Sequence, residues 1–270
     1  MTVEAFAPAK INLTLHVTGQ RVDGYHLLDS LVMFADFGDR LWLTPGAQMG
    51  LEITGPFALG VPTDASNLVW RAARSARWCG QIRLEKNLPH GAGIGGGSSD
   101  AAAILRALKT DDTDQALALG ADIPVCMAGH SARMQGIGEQ VTALQGWPSL
   151  NAVLVNPGVA VPTPQVFKAL KAKTHPAMPA TIPQLTTAAD IAAWLATQRN
   201  DLQTPAQLQQ PVISGVLATL SNQQGALIAR MSGSGATCFA LFDTAAAAAA
   251  SAQNLKSAHP EWWTQACTLS

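Results

Sequence analysis

The densest run of residues able to do chemistry is Pro89-His-Gly-Ala-Gly-Ile-Gly-Gly-Gly-Ser-Ser-Asp100, followed at once by Ala101-Ala-Ala-Ile-Leu105. Glycines let a backbone come close to an anion. A helix opening on Ser98, Ser99 and Asp100 adds unpaired N–H groups and the positive end of its dipole. Together they suit a polyphosphate. A turn with a Ser/Asp cap explains the cap but not this many glycines. Gly91, Gly93 and Gly96 also satisfy G-x-G-x-x-G, so a dinucleotide-binding oxidoreductase competes. Context argues against it. After a helix ending near Leu108 the chain gives Lys109-Thr-Asp-Asp-Thr-Asp114 and another helix, where a dinucleotide fold needs a second apolar strand ending at a ribose-binding acid. A P-loop fails too, because no Gly-Lys-[Ser/Thr] follows the glycines. Any lysine for an ATP site must come from elsewhere.

The elements that must position this loop are read from periodicity and punctuation. From Lys10 to Val17 apolar and polar residues alternate, which predicts a half-buried strand with Lys10 and Asn12 on its polar face. A loop over 19–25 leads to two apolar runs, Leu27–Phe34 and Arg40–Leu43. Helical spacing covers Asn67–Cys79, a short strand Gln81–Lys86, and helices Ala101–Leu108 and Thr113–Leu119. Gly120 closes the last of these in a position that favours positive φ, and Asp122 comes just after it. A strand at Ala152–Val155 and a turn-rich stretch after it place a domain boundary near residue 150. Residues 171–187, with three prolines, predict a surface connection or mobile loop. Then come helices at Ala188–Gln198 and Gln207–Leu220, strands at Ala226–Met231 and Thr237–Phe242, an alanine-rich helix from Thr244 and a Trp-rich final strand. Strands and helices mix without a βαβ repeat, which predicts an α+β fold.

Composition narrows the partners. At 270 residues and 48% hydrophobic, the chain can bury a large core and accommodates two domains. A net charge of -1 with only 13% charged residues gives no basic field for a nucleic-acid backbone or an anionic membrane, which leaves a small molecule. Cys79, Cys126, Cys238 and Cys267 lie far apart, so neither a disulfide framework nor a zinc site is expected and the thiols should be reduced. The first residues lack a basic segment followed by an apolar stretch, and no window approaches a membrane span, which predicts a cytoplasmic protein.

Three segments in order, Pro8-Ala-Lys-Ile-Asn-Leu13, the glycine–serine loop at 89–99 and Met231-Ser-Gly-Ser-Gly-Ala236, resemble the motifs of the GHMP kinase superfamily. Within it, Arg21-Val-Asp-Gly-Tyr-His26, Asp36-Phe-Gly-Asp-Arg40, Gly120-Ala-Asp-Ile-Pro124, Pro162-Thr-Pro164 and Asn200-Asp-Leu202 resemble one branch. Its members phosphorylate the 2-hydroxyl of a cytidine-diphosphate-linked methylerythritol in the non-mevalonate route to isopentenyl diphosphate. The likeness spans nearly the whole chain. It is weakest over 45–65 and 171–198, and in the last third outside the Ser-Gly-Ser-Gly motif.

The resemblance implies a two-domain α+β fold with the substrate between the domains: a ribosomal-protein-S5-like domain over 1–150 and a ferredoxin-like domain over 151–270. It implies ATP and Mg²⁺, and a monomer or weak homodimer. Lys10 and Asp122 match the catalytic pair. The acceptor alcohol needs a carboxylate to take its proton, and a lysine can hold that carboxylate ionised. The nucleotide loop comprises Pro89, His90, Gly91, Ala92, Gly93, Ile94, Gly95, Gly96, Gly97, Ser98 and Ser99, with Ser98 or Ser99 helping to hold phosphate or metal. Tyr25 and His26 match the cytidine-recognition residues, with Phe167 as a second stacking face and Asn12 as a substrate contact. Gly233 and Gly235 let a third loop approach closely. Ile94 and Asp100 stand where leucine and asparagine are expected, and Asp100 adds a carboxylate near the triphosphate. Kinases of the superfamily acting on homoserine, mevalonate or a sugar lack the Asp-Gly-Tyr-His segment. A non-catalytic nucleotide sensor would have lost Lys10 or Asp122, and both are present.

Overall fold

The computed structural model describes residues 1–270. Its N-terminal half contains β1 (Val3–Asn12), β2 (His16–Gln20), β3 (His26–Pro45), β4 (Gly50–Thr54), α1 (Leu68–Ser75), β5 (Gly80–Glu85), α2 (Gly96–Ala107), α3 (Thr113–Leu119), α4 (Ile123–Ala128), β6 (Ala132–Gly136) and β7 (Gln140–Ala143). The remainder contains β8 (Leu150–Asn156), α5 (Thr163–Lys168), α6 (Ala188–Ala196), α7 (Gln203–Gln209), α8 (Val212–Ser221), β9 (Ala226–Met231), β10 (Cys238–Phe242), α9 (Ala245–Ala258) and β11 (Trp263–Leu269). The architecture is α+β.

The axis is β3. The two apolar runs predicted there form one strand that pairs antiparallel with β1, β2, β5 and β6. Gly38 makes this continuity possible, because a Cβ there would lie 2.1 Å from the Ala7 carbonyl oxygen. Opposite it, β1 shifts register between Pro8 and Lys10. Such an irregularity re-aims the side chain that follows it. That side chain is Lys10. In the second half β8 runs between β10 and β11, with β9 outside β10. β11 meets β3 at Leu269 and Ala35, which joins all eleven strands into one sheet.

Helices α1 to α4 cover one face over Val32, Leu41 and Leu84, with Ile104 of α2 in the same core. A second core lies under α8 and α9. A third draws Ile11, Leu31 and Ile94 from the first half and Leu154 and Phe239 from the second. The halves therefore share apolar surface, and a groove lined from both lies between them.

Several sequence expectations need correction. The strand over 10–17 breaks into β1 and β2, and it is buried on both faces: Lys10, Asn12, Thr14 and His16 all lie inside. The break is satisfied by Ser30, whose hydroxyl donates to the Thr14 carbonyl, and by the Leu31 N–H, which donates to the Thr14 hydroxyl. Alternation marked two kinds of buried face, not core and solvent. The helix predicted over 207–220 splits into α7 and α8 at Gln210–Pro211, since proline cannot donate within a helix. Gly120 has φ 172°, an extended conformation open to any residue. The helix predicted from Ala101 begins at Gly96.

Residues 171–187 hold no regular element, yet they are strapped down. Asp29 accepts both the Met178 N–H and a two-pronged bond from Arg133, which also donates to the Pro179 and Ala180 carbonyls. The His175 N–H donates to the Val17 carbonyl. No helix is long and apolar enough to cross a membrane.

Candidate active site

Lys10 leaves β1 just after the bulge, and its N–H donates to the Ile94 carbonyl at 2.9 Å, so strand and glycine loop are tied at that residue. Its Nζ lies 2.7 Å from Asp122 Oδ1. Lys10 is buried, whereas Asp122 is 38% exposed. Asp122 precedes α4 but accepts no capping bond, so its carboxylate is free to face the groove. A carboxylate next to a helix start normally caps it. Here the lysine takes it instead.

Two cavities meet at this pair. One, of about 300 Å³, is bounded by Lys10, Asn12, Gly91, Gly93, Gly95–Gly97 and Gly233. The other, of about 760 Å³, is bounded by Tyr25, His26, Lys168 and Lys173. Ser98, Asp122, Thr163, Leu28 and Phe167 line both. A group passing from one cavity to the other passes Asp122.

The loop is built as an anion cradle. Gly95 is the residue before α2 and has φ 64°, left-handed; a Cβ there would sit 3.2 Å from Lys10 Cβ. The first turn of α2 thus starts beside the lysine, with its N–H groups toward the first cavity. Of the two serines only Ser98 is available. Ser99 is fully buried and its hydroxyl donates to the Pro8 carbonyl at 2.7 Å, so it fastens α2 to β1 and reaches neither metal nor phosphate. Ile94 and Ala92 belong to the core, and the Thr237 N–H donates to the Ala92 carbonyl. Both shape the loop; Ala92 also borders the first cavity, whereas Ile94 does not. Pro89 and His90 border a side cavity of about 280 Å³ together with Val61, Asn67 and Lys86, on the far side of Gly96.

The Met231–Ala236 loop locks onto the 89–99 loop. A Cβ on Gly93 would be 2.4 Å from the Ser232 carbonyl oxygen, and one on Gly233 would be 2.7 Å from the Gly93 oxygen. The Ser232 hydroxyl donates to the Gly93 carbonyl and accepts the Asn12 N–H. Asn200 completes the frame by donating to the Met231 and Gly233 carbonyls, each at 2.9 Å. That positioning role was not read from the sequence, although Asn200-Asp-Leu202 had been noted. Asn12 lines the first cavity, and its amide donates to the Ser30 hydroxyl at 2.8 Å.

On the acceptor side, the His26 and Phe167 rings stack at 4.7 Å with 23° between planes. Phe167 therefore gives one face to His26, and the two form an aromatic wall. Burial first, and Lys173 second, lower the His26 pKa, which keeps the ring neutral near pH 7. Its Nε2 has no partner in the protein. Tyr25 stands at the mouth, 57% exposed. Lys168 and Lys173 were not singled out from the sequence; two lysines close together in a chain poor in charge were the available signal, and they give this cavity its cations.

No group of three or more His, Cys, Asp or Glu side chains gathers to hold a metal. Mg²⁺ does not need one, since it commonly keeps its waters and takes substrate phosphates with one or two protein oxygens. The Ser98 hydroxyl, at the junction and without a partner in the protein, fits that use.

The profile for the GHMP kinases N terminal domain matches residues 67–146, and that for the GHMP kinases C terminal matches residues 181–260. Over 266 residues the chain is 58% identical to a 4-diphosphocytidyl-2-C-methyl-D-erythritol kinase of Dinoroseobacter shibae, covering 97% of this chain and 93% of that one. A relative of the same name from Cereibacter sphaeroides is 53% identical, with 96% of each chain covered. The chain belongs to the 4-diphosphocytidyl-2-C-methyl-D-erythritol kinase family. A crystal structure of a 4-(cytidine 5'-diphospho)-2C-methyl-D-erythritol kinase superposes with a TM-score of 0.77 at 33% identity, covering 99% of both chains. A homoserine kinase from Cytophaga hutchinsonii superposes at 0.61 with 18% identity, a likeness of fold alone. Membership in the 4-diphosphocytidyl-2-C-methyl-D-erythritol kinase family makes the chain a phosphotransferase with an alcohol acceptor, and ATP is the donor that a kinase of this family uses.

Proposed function

We propose that the chain transfers the γ-phosphoryl group of ATP to the 2-hydroxyl of 4-diphosphocytidyl-2-C-methyl-D-erythritol, in the non-mevalonate route to isopentenyl diphosphate. The observation that carries this reading is the Lys10–Asp122 pair at the junction of a glycine-lined and an aromatic cavity. ATP places its phosphates against the first turn of α2, with adenosine toward the side cavity past His90. The cytidine lies against Tyr25 and the His26–Phe167 wall, and Lys168 and Lys173 face the acceptor's diphosphate. The polyol hydroxyl then lies beside Asp122.

Asp122 Oδ takes the hydroxyl proton as the new O–P bond forms and the bond from the γ-phosphorus to the β,γ-bridging oxygen breaks, leaving ADP. Lys10 orients the Asp122 carboxylate before the step and offsets charge on the moving phosphoryl group during it. Ser98 would help to hold Mg²⁺, which would supply charge neutralisation when bound. Loop amides do the same for the β- and γ-oxygens without reorganising.

The same reading divides the chain into a nucleotide-binding domain over 1–150 and a second domain over 151–270. It has the protein acting in the cytoplasm as a monomer or weak homodimer on a small molecule, with no nucleic acid or membrane partner. ADP release by the purified protein with ATP, Mg²⁺ and the cytidine-linked polyol tests the function, against mevalonate and homoserine. Turnover with the cytidine acceptor alone is expected; equal turnover with mevalonate or homoserine sinks the assignment.

A further inference from the structure

Beneath the glycine loop lies a cluster that the reaction does not use. Asp39 of β3 is fully buried. Its Oδ1 accepts the N–H groups of Asn87 and Leu88, and its Oδ2 accepts Lys86 Nζ. Lys86 Nζ also donates to Asp100 Oδ2 at 2.7 Å. Neither Asp39 nor Asp100 borders the cavities described above.

We infer that Asp100 is a positioning residue for the phosphate loop: through Lys86 and Asp39 it ties the helix that leaves the loop to the strand that enters it. Residues 86–88 are the entry stem, and Asp100 sits in the second turn of α2, the exit stem. Between them Gly91, Gly93 and Gly95 all have positive φ. Such a stretch is costly to hold in one conformation, because glycine loses more backbone freedom on ordering than any other residue. Ties at both stems limit that freedom. The loop is fixed at three further points, Lys10 to Ile94, Ser232 to Gly93 and Thr237 to Ala92, all within 92–94. None of them sets the start of α2, where the amides facing the phosphates originate; the Ser99 hydroxyl holds that first turn to β1 through the Pro8 carbonyl, and the Lys86–Asp100 bond holds the helix to the entry stem. Lys86 also lies against that start, since a Cβ on Gly96 would be 3.6 Å from its Nζ.

Energetics favour a positional role over a stabilising one. A buried ion pair often does no better than an apolar pair of the same shape. Here two carboxylates share one ammonium, and Asp100 Oδ1 is buried without a partner, which makes the cluster a poor stabiliser. What it does well is fix direction, since one ammonium bonds both stems at once.

The inference rests on the kinase reading only for the identity of the anion. Titration calorimetry of wild type with a non-hydrolysable ATP analogue tests that reading, and Asp100 variants test the tie. Asp100→Ala, with Asp100→Ser as a second variant should alanine not fold, removes the bond to Lys86. A rise of about tenfold in Kd for the analogue and in KM for ATP is expected, or about 1.4 kcal/mol. The acceptor KM should stay within about twofold. Asp100→Asn keeps an oxygen for Lys86 and offers an N–H₂ toward Asp39, so it should return ATP affinity to within about twofold of wild type. Wild-type ATP affinity in the alanine or serine variant overturns the inference. So does an asparagine variant as weak as alanine, or an equal loss for ATP and acceptor.

Discussion

Asp122→Asn isolates the proposed base from everything else the residue does. The substitution preserves shape, and because Asp122 makes no capping bond, α4 loses no cap. Its cost to folding is limited by exposure. Removing one partner of a fully buried pair costs about 3–5 kcal/mol, but Asp122 is 38% exposed and an asparagine oxygen still accepts from Lys10, so about 1 kcal/mol or less is expected. The catalytic cost is larger. Loss of a general base removes about 10²–10⁴ in rate, which is about 3–5 kcal/mol of transition-state stabilisation. Lys10 contacts the same carboxylate, so Lys10→Met should fall in the same range, and the double variant should be little worse than the weaker single. The assay is steady-state ADP release under saturating ATP and acceptor, with thermal unfolding of each variant alongside. The loss must fall on kcat, with both KM values within about threefold. An Asp122→Asn enzyme keeping more than about a tenth of wild-type kcat, or a double variant showing the product of two independent losses, refutes the pair as the proton-transfer unit.

Two other perturbations test the acceptor side and the strap. Tyr25→Ala should raise the acceptor KM by the equivalent of about 1–3 kcal/mol, the range for base–aromatic stacking, with Tyr25→Phe nearly silent and the ATP KM unchanged; an unchanged acceptor KM in Tyr25→Ala removes Tyr25 from the cytidine site. His16 is buried, with Nδ1 against the Pro176 carbonyl and Nε2 accepting the Arg199 N–H, an arrangement only the neutral ring can make. Burial first, then the Arg199 charge, lower its pKa from 6.5, partly opposed by the Pro176 bond and by Asp201 and Asp29. Unfolded chain then binds a proton that folded chain does not, so this stability is complete above pH about 6.5 and declines as pH falls toward the lowered folded value. Thermal unfolding between pH 7.5 and 5 should show a smaller decline in His16→Gln than in wild type, and identical declines would remove His16 as the cause.

How much of this was legible in the sequence depends on what kind of signal each residue leaves. Lys10 and Asp122 were singled out by motif, against what each residue type usually does when alone. A lysine on the polar face of a strand is usually solvated, and an aspartate beside a helix end usually caps it. Each would be right for a residue alone, because an unpaired lysine is not buried and an aspartate before a helix normally bonds its amides. The pairing cancels both expectations at once, and no local pattern encodes a partner so far along the chain. Elements failed for a different reason. α4 has six residues, too few for a period of 3.6 to show, and it ends on Gly129 in the left-handed region. β3 was divided because Ala35–Asp39 looks like a break, although Gly38 is there to admit β1 and Asp39 to hold the loop's entry stem.

The strap over 171–187 shows where composition misleads most directly. Three prolines correctly excluded a helix or central strand, since each removes a backbone donor. They said nothing about mobility, because a proline-rich segment can be held entirely from outside. Here the holding groups are Asp29, Arg133 and His16, on strands β3, β6 and β2. The same logic covers Asp100. Its departure from the expected asparagine was visible as a letter, but its meaning depended on Lys86 and Asp39, one just past β5 and the other in the middle of β3. In both cases the residue that explains the feature comes from a strand brought near by the sheet. The register of β3 is thus the piece of information that turns scattered motifs into a site. With β1, β5 and β6 aligned on that one strand, Lys10, Lys86 and Arg133 point to fixed addresses, and the glycine loop, the acid pair and the strap follow.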